Sequence, residues 1–464
     1  MYPPPSAPSC APVKDLGALP PDFPRAGAFK HTATTPSPSP SSPVVTNAPK
    51  TEGDGCATVA VLKNSCGCPV RTEVPPMPTH IPVDKPEANR AFLQKWILNH
   101  YRTSAFNTCT HQVIPCLTGP EMSITTVEGA EPVAVHTPIP VPHHWKKTVK
   151  EKLDENCALG VLKRVKPGTP VTWQCRLLTT PKKNGDPRLV VDLQPLNAVS
   201  KRETHHTPSP WNLACSVPKG MLKSILDAWN GYHLVPLAPE SQEKTTFITE
   251  WGRYLYLRAP QGWTGSGDVF TKRFDDITSG FKDVVRCIDD SCLWAATVAA
   301  SFWLIVNYID LCARNGVIFN PEKFLFALEA LDFAGYMITL DSIKPTTKML
   351  KAIVDFPTPT TIKGIRGWFG IVTFVSFAYA LSPAMLPFRD LLNSKKKFYW
   401  DDELEKLFAK TKSFVADAVA DRVRMFEMAR HTCLATDWSK TGLGFLLLQK
   451  HCACTDFEKA PRCG

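Results

Sequence analysis

Paired cysteines are the first feature missing from this 464-residue sequence. Its 16 cysteines are scattered, and none forms a C-x2-C pair. Two tighter groups, Cys66 with Cys68 in NSCGCP and Cys452, Cys454 and Cys463 in HCACTDFEKAPRC, lack the paired spacing of a zinc site. No zinc knuckle and no signal peptide is seen, so free thiols in a reducing compartment are expected. No internal repeat occurs. Long uncharged runs are scarce: Gly367–Phe388 carries no charge and is long enough to span a bilayer. Pro383 and Pro387 break its end, and Gly, Ser and Thr dilute it, which favours a buried helix or helix pair over a membrane span. Neither sign of charge dominates. Lys and Arg number 53 against 43 Asp and Glu, a formal +10 that mildly favours polyanionic partners. The 44% hydrophobic share suffices for a sizeable core, and the length allows about two to four domains.

Proline is what the start of the chain has in excess. Of 43 prolines, 13 fall in residues 1–50. Such a stretch buries too little apolar surface to offset its ordering entropy, so residues 1–88 are expected to be a disordered linker. ANRAFLQKWILNHYR places Phe92, Trp96, Ile97 and Tyr101 at helical spacing and predicts an amphipathic helix within a second linker, residues 89–144. From Trp145 the texture changes. HHWKKTVKEKLDENCALG reads as a helix ending near Gly160, and strand-like runs follow in VTWQCRLLTT, PRLVVDL, LKSILD, YLYLRA and VVRCIDDSCLWA. GSGDVFTKRFDDITSGF and the run after Ala295 read as helices between them, which points to an α+β domain. In DDELEKLFAKTKSFV, Asp401 or Asp402 is a fitting N-cap, with Leu404, Leu407, Phe408, Phe414 and Val415 on one face. CLATDWSKTGLGFLLLQ reads as strand, turn, strand.

Acidic residues at strand ends supply the chemistry. Asp289 and Asp290 fall between apolar flanks, as at the tip of a hairpin. An ordinary turn would use Asp there to bond its own backbone. Two carboxylates held together also repel, unless a cation compensates them. Asp227 ends another apolar strand, 62 residues before Asp289. A three-Asp metal site and a simple turn both remain open on spacing alone.

The surrounding words carry a resemblance. LDAWNGYHLVPL, APQGWTGSGDVF, CIDD, RLVVDLQPLN, NGVIFNPEKFLFALEALDFAGYMI and IKPTTKMLKAIVDFPTPTTIKGIRGWFG occur in that family order for the reverse transcriptases of gypsy-like LTR retrotransposons, once RLVVDLQPLN is placed first. The resemblance covers roughly residues 145–450. It implies an α+β right-hand polymerase fold: fingers and palm over 145–345, thumb and connection over 346–430, and a truncated RNase H-like α/β start over 431–464. It also implies RNA-directed DNA polymerase activity on a primed RNA or DNA template with dNTPs. Two Mg²⁺ ions, with Mn²⁺ as a substitute, would be held by Asp227, Asp289 and Asp290 and by a backbone carbonyl near Ala228. By position, Arg188, Lys182 and Lys183 match triphosphate contacts, Tyr232 the steric gate against a ribose 2′-hydroxyl, and Gln261 and Gly262 the pocket floor. Lys323 matches a lysine that assists pyrophosphate departure, and Phe333, Gly335 and Tyr336 match the primer grip. Other parts of a Pol polyprotein are implied partners, no membrane is expected, and an intracellular, cytoplasmic particle is the implied location.

Two departures stand out. Cys287 replaces the Tyr or Phe usual before the Asp pair. TDWSKTGLGFLLLQ resembles the first RNase H hairpin with Asp437 as its first carboxylate, without the later acidic elements, so RNase H activity is not expected. No Asp-Thr/Ser-Gly protease motif and no integrase-like His/Cys cluster occurs. Cys287 and the missing elements motivate a second reading, a non-catalytic nucleic-acid-binding remnant of a retroelement.

Overall fold

The computed structural model describes residues 66–450 except 183, 376–380, 394–396, 421–422 and 440–441. The expectation for residues 1–65, and the Cys452–Cys454–Cys463 group, therefore lie outside the described residues, as does Lys183. Residues up to Met425 form one compact unit, and Phe426–Lys450 belongs to another.

In the larger unit, α1 (Arg90–His100) is the expected amphipathic helix, but its buried face differs. Leu93, Ile97 and Tyr101, each four residues apart, are fully buried, while Phe92 is 49% exposed. Spacing by four keeps a side chain on one stripe, and Phe92 stands one residue off it. The Gln94 side-chain amide donates to the Phe324 carbonyl at 2.9 Å, docking α1 on the later chain. The segment read as a linker thus contributes Leu93, Ile97, Tyr101, Phe106 and Leu117 to the main core.

Helix α2 (Lys146–Ala158) stops where Gly160 turns left-handed, at φ +69°. A five-stranded sheet follows in the order β1-β6-β5-β2-β3. Its strands are β1 (Leu162–Arg164), β2 (Cys175–Pro181), β3 (Pro187–Val191), β5 (Phe247–Thr249) and β6 (Gly252–Tyr256). The short helices α3 (Gln194–Val199), α4 (Pro210–Cys215) and α5 (Pro239–Gln242) lie in the connections.

The sheet that positions the carboxylates has the order β7-β8-β4-β9. It comprises β4 (Leu222–Asp227), β7 (Val284–Cys287), β8 (Asp290–Ala295) and β9 (Leu325–Leu328), and its neighbours all pair antiparallel. Helices α6 (Ser266–Thr278) and α7 (Val298–Arg314) supply Phe270, Phe274, Phe302, Ile305 and Ile309 to the core beneath it. Thr297 caps α7 by accepting the Ala300 N–H. On β4, Lys223 is fully buried and donates to the carbonyls of Glu329 and Thr339 at 2.8 and 2.6 Å. Burial pushes its ammonium down to about 8.

A third sheet, β10-β11-β12-β13, joins β10 (Leu331–Phe333), β11 (Tyr336–Ile338), β12 (Ser342–Pro345) and β13 (Val423–Arg424). A separate helical core holds α8 (Thr347–Val354), α9 (Ile362–Val375), α10 (Ser382–Met385) and α11 (Asp402–Ala420) around fully buried Trp368. The uncharged run therefore begins as a buried helix, and among the described residues no helix is long and apolar enough to cross a membrane. Asp401 accepts the Leu404 N–H at 2.8 Å, as an N-cap does. Leu404, Phe408 and Val415 are buried, but Phe414 is 50% exposed. Val415 follows Phe408 by nearly two whole turns, whereas Phe414 stands about 100° away from that stripe. In the second unit, β14 (Thr432–Ser439) pairs antiparallel with β15 (Gly442–Gln449), the expected hairpin.

Candidate active site

The apolar strand β4 carries Asp227 inward at its end, where the residue is buried. Strand pairing then sets Asp290 directly opposite it. The connection from β7 to β8 consists of Ile288 and Asp289, closed by the Cys287–Asp290 pair. The hairpin tip is therefore Ile288–Asp289, and Asp290 is the first residue of β8 rather than part of the tip. Ile288 holds φ +60°, a strained left-handed conformation for a β-branched residue. The Ala228 N–H donates to the Asp289 carbonyl at 2.9 Å, which locks the tip against the end of β4.

Three carboxylates thus meet one ammonium. Lys323 Nζ lies 2.6 Å from Asp227 Oδ2. Burial, then the Asp289 charge and the contact with Asp227, push Asp290 up to about 7. Asp289 is also raised, first by burial and then by Asp227. Lys323 is raised, chiefly by its hydrogen bond to Asp227. Negative charge exceeds positive charge here, and the donors are hard oxygens, a set that fits a divalent cation of the Mg²⁺ type.

Asp227, Asp289 and Lys323 open on a cavity of about 290 Å³ lined also by Ala228, Tyr232 and Gln261, with Trp229, Asn230, Gly231 and Asn320; Asp290, opposite Asp227 in the strand pair, is not part of the lining. Tyr232 is wedged edge-on against Phe270, with ring centroids 5.7 Å apart. Gly231 permits this, because a Cβ there would meet Phe270 at 2.8 Å. The neighbouring His233 is buried, and neither ring nitrogen has a hydrogen-bond partner among the described residues. Burial, helped by the Arg258 charge, holds its pKa down to about 4 from 6.5. A depressed folded-state pKa gives stability that is full above the unfolded value and is lost as pH falls towards the folded one. Taking the wild type from pH 7 to pH 4.5 should therefore cost about 2–3 kcal/mol through this residue. Urea unfolding of wild type and His233→Leu at both pH values checks it; an equal acid loss in the two proteins would contradict it.

Not every residue singled out by sequence enters the cavity. Arg188 and Lys182 are exposed on the β2–β3 hairpin and do not line it. Gly262 adopts φ +105°, and its carbonyl accepts the Asn197 amide at 2.8 Å. Phe333 and Tyr336 are buried, flanking a turn in which Ala334 and Gly335 are both left-handed, at φ +50° and +89°. The Tyr336 hydroxyl donates to the Phe374 carbonyl at 2.6 Å, so backbone at the turn, not these rings, is what the hairpin presents. Asp437 sits on β14 opposite Gly444, and its side chain is outside the described residues.

Several supporting residues escaped the sequence reading. Arg286 is buried under the hairpin, pairs with Asp275 on α6, and lies 4.0 Å from the Phe274 ring centre. Asn320 N–H donates to the Asp227 carbonyl at 2.9 Å. Asn197 also accepts the Thr264 N–H at 3.0 Å, tying the PQGWTG loop to α3. Asn320 lay three residues before Lys323 in FNPEK, a visible signal; Arg286 had none, since its partner is brought by folding. Cys287 is half-buried beside the carboxylates, and its thiol is raised by burial and then by Asp290 and Asp289.

The profile of the family described as reverse transcriptase (RNA-dependent DNA polymerase) matches residues 180–338, which include all three carboxylates and Lys323. The chain is 24% identical over 369 residues to the retrovirus-related Pol polyprotein from transposon gypsy of Drosophila melanogaster, covering 75% of this chain and 35% of the relative. It is 26% identical to the Pol polyprotein from transposon opus of the same fly, covering 56% of this chain and 27% of that protein. The Tf2-3 transposon polyprotein of Schizosaccharomyces pombe is 22% identical, covering 67% and 23%. The chain thus spans about a third or less of these relatives. Among solved structures, foamy viral protease-reverse transcriptase in complex with double-stranded DNA superposes with a TM-score of 0.67 at 18% identity, covering 81% of this chain and 68% of that one. The same viral protein with an RNA/DNA hybrid gives 0.63 at 18% identity, covering 81% and 51%. The fold is the right-hand α+β arrangement of such polymerases. The chain thus carries a reverse transcriptase domain over residues 180–338 and is similar to the Pol polyproteins of LTR retrotransposons such as gypsy and opus.

Proposed function

We propose that the chain is an RNA-directed DNA polymerase that extends a primer on an RNA or DNA template by adding dNTPs. The meeting of Asp227 and Asp289 at one cavity, with Asp290 paired opposite Asp227, carries this reading. Two Mg²⁺ ions, when held by these carboxylates and a backbone carbonyl near Ala228, would lower the pKa of the primer hydroxyl and stabilise charge on the attacking and leaving oxygens. The chain's own residues do the rest. Tyr232 crowds the sugar pocket and excludes a 2′-hydroxyl. Gln261 and Gly262 floor it. Lys323, 58% exposed along its side chain, reaches towards leaving pyrophosphate as well as Asp227. Arg188, Lys182 and Lys183 meet the triphosphate when the β2–β3 hairpin and nucleotide come together; a guanidinium fork suits phosphate oxygens. The Phe333–Gly335–Tyr336 turn supports the primer end through its backbone. Template contacts are to shape, 2′-hydroxyls and phosphates, with a salt-sensitive share from the basic balance. The remaining parts of a Pol polyprotein would act alongside it.

The test is Mg²⁺-dependent dTTP incorporation on poly(rA)/oligo(dT). No incorporation by a folded, template-binding chain would sink the reading. Cys287 favours the second one, a non-catalytic binding remnant, and binding without incorporation even in Cys287→Tyr would establish that instead. For substrate choice, Tyr232→Val should relax discrimination against ribonucleotides by about 5- to 150-fold. This corresponds to relief of an overpacking clash of about 1–3 kcal/mol. Paired kcat/KM values for dTTP and UTP measure it, and an unchanged ratio would rule Tyr232 out as the gate.

A further inference from the structure

Two sulfurs and an imidazole converge outside the carboxylate cavity, with a third cysteine beside them. Cys66 and Cys68 approach from the segment that precedes α1, and Cys109 and His111 from the loop that follows it. The Sγ atoms of Cys66 and Cys109 are 3.6 Å apart. Those two sulfurs and a ring nitrogen of His111 all lie within 4.8 Å of one another. Cys68, two residues after Cys66, stands outside that group of three but has its thiol in hydrogen-bond contact with those of Cys66 and Cys109.

We propose that Cys66, Cys68, Cys109 and His111 bind one zinc ion as a structural Cys3His site. Tetrahedral zinc with Zn–S bonds of about 2.3 Å sets its sulfurs about 3.8 Å apart, close to the separation found here. A disulfide would need about 2.0 Å. The C-x-C and C-x-H spacings replace the usual C-x2-C because of local backbone. Gly67 between the first two cysteines holds φ +65° with no atom of the described residues within 4 Å of a Cβ, so glycine serves the turn. That turn brings both thiols to one side.

The two loops are laced together around the cluster. Asn107 accepts the Cys109 N–H at 3.2 Å and donates to the Pro69 carbonyl at 3.0 Å. Gln112 donates to the same carbonyl at 2.9 Å and accepts the Arg71 N–H at 2.7 Å. The Arg71 guanidinium donates to the carbonyls of Asn107 and Val113 and is close enough to Cys109 to interact with its charge. It offsets the single net negative charge that three thiolates and neutral imidazole leave around zinc. Outer-shell partners of this kind orient ligands and tune affinity. The ion would staple the incoming chain to the end of α1, whose Leu93–Ile97–Tyr101 face lies in the main core.

The test uses the full chain, purified in reducing buffer and dialysed, with zinc measured by elemental analysis. One equivalent per chain is expected, and it should fall to under about a tenth in Cys68→Ser and in His111→Ala. Serine at Cys452, Cys454 and Cys463 together should leave it in place. Should the single variants fail to fold, cobalt substitution of the wild type decides. Tetrahedral d–d bands with thiolate charge transfer support the site, and octahedral cobalt without such bands overturns it. Wild-type chain without bound zinc, zinc that persists in Cys66→Ser/Cys109→Ser, or a Cys66–Cys109 disulfide under reducing conditions would each overturn it too.

Discussion

Asp227→Asn should lower the rate of primer extension by about 10³-fold or more while leaving the fold intact. The substitution keeps shape and hydrogen-bonding size but removes one charge from the group that would hold the metals. A metal's stabilisation of transition-state charge is worth several kcal/mol, and about 4 kcal/mol corresponds to a thousandfold. Fold is spared for a local reason. The main chain at Asp227 is held by strand pairing with Asp290 and by the Asn320 N–H, neither of which involves the carboxylate. Lys323 loses its partner but is exposed enough to turn to water. Asp289→Asn should behave alike, since Asp289 also lines the cavity. Single-turnover extension, template-primer binding and a urea midpoint should be measured together. Loss of rate with binding and midpoint unchanged is the expected pattern; a wild-type rate in either variant would remove these carboxylates from the chemistry.

Gly316→Ala should destabilise the chain by about 2–5 kcal/mol, the largest stability effect expected of so small a change. Gly316 ends α7 in a Schellman arrangement: its N–H donates to the Ala313 carbonyl and that of Val317 to the Cys312 carbonyl, at 3.1 and 2.9 Å. Its φ is +83°. For alanine that conformation costs about 1–2 kcal/mol. A Cβ would also sit 2.0 Å from the Cys116 carbonyl oxygen, which is backbone and cannot rotate away. Overpacking of this kind adds about 1–3 kcal/mol. The residues just after it hold the site. The Ile318 carbonyl accepts the Trp229 N–H at 2.7 Å, Phe319 N–H donates to Ala105, and Asn320 N–H donates to Asp227. Activity should therefore fall with stability, unlike in Asp227→Asn. Urea unfolding followed by tryptophan fluorescence measures the loss, and a midpoint equal to wild type would refute it.

Much of the site was legible because its chemistry is written in short local words. Asp227 and Asp289 end apolar runs, Tyr232 follows a Gly, and Lys323 follows Asn-Pro-Glu; each is read within about ten residues. Helix existence was equally legible for α1, α7 and α11, since periodicity is a local property. Which stripe of a helix faces the core was less so. Phe92 and Phe414 were placed inward by apolarity, yet lie off the stripes that the neighbouring elements cover. The hairpin shows the same limit: composition located the Asp pair, but strand register assigned Asp289 to the turn and Asp290 to the strand.

The sequence by itself determined the strand-end carboxylates, the order of the polymerase words and the α+β alternation. Tertiary structure alone decided the rest. It set Asp290 opposite Asp227, buried Arg286 beside Asp275, and brought Cys66 to within 3.6 Å of Cys109, 43 residues away in sequence. The physical reason is that local spacing fixes dihedral preference and periodicity, whereas charge pairing, left-handed turns such as Ile288 and metal-ligand geometry depend on which distant segments packing makes neighbours.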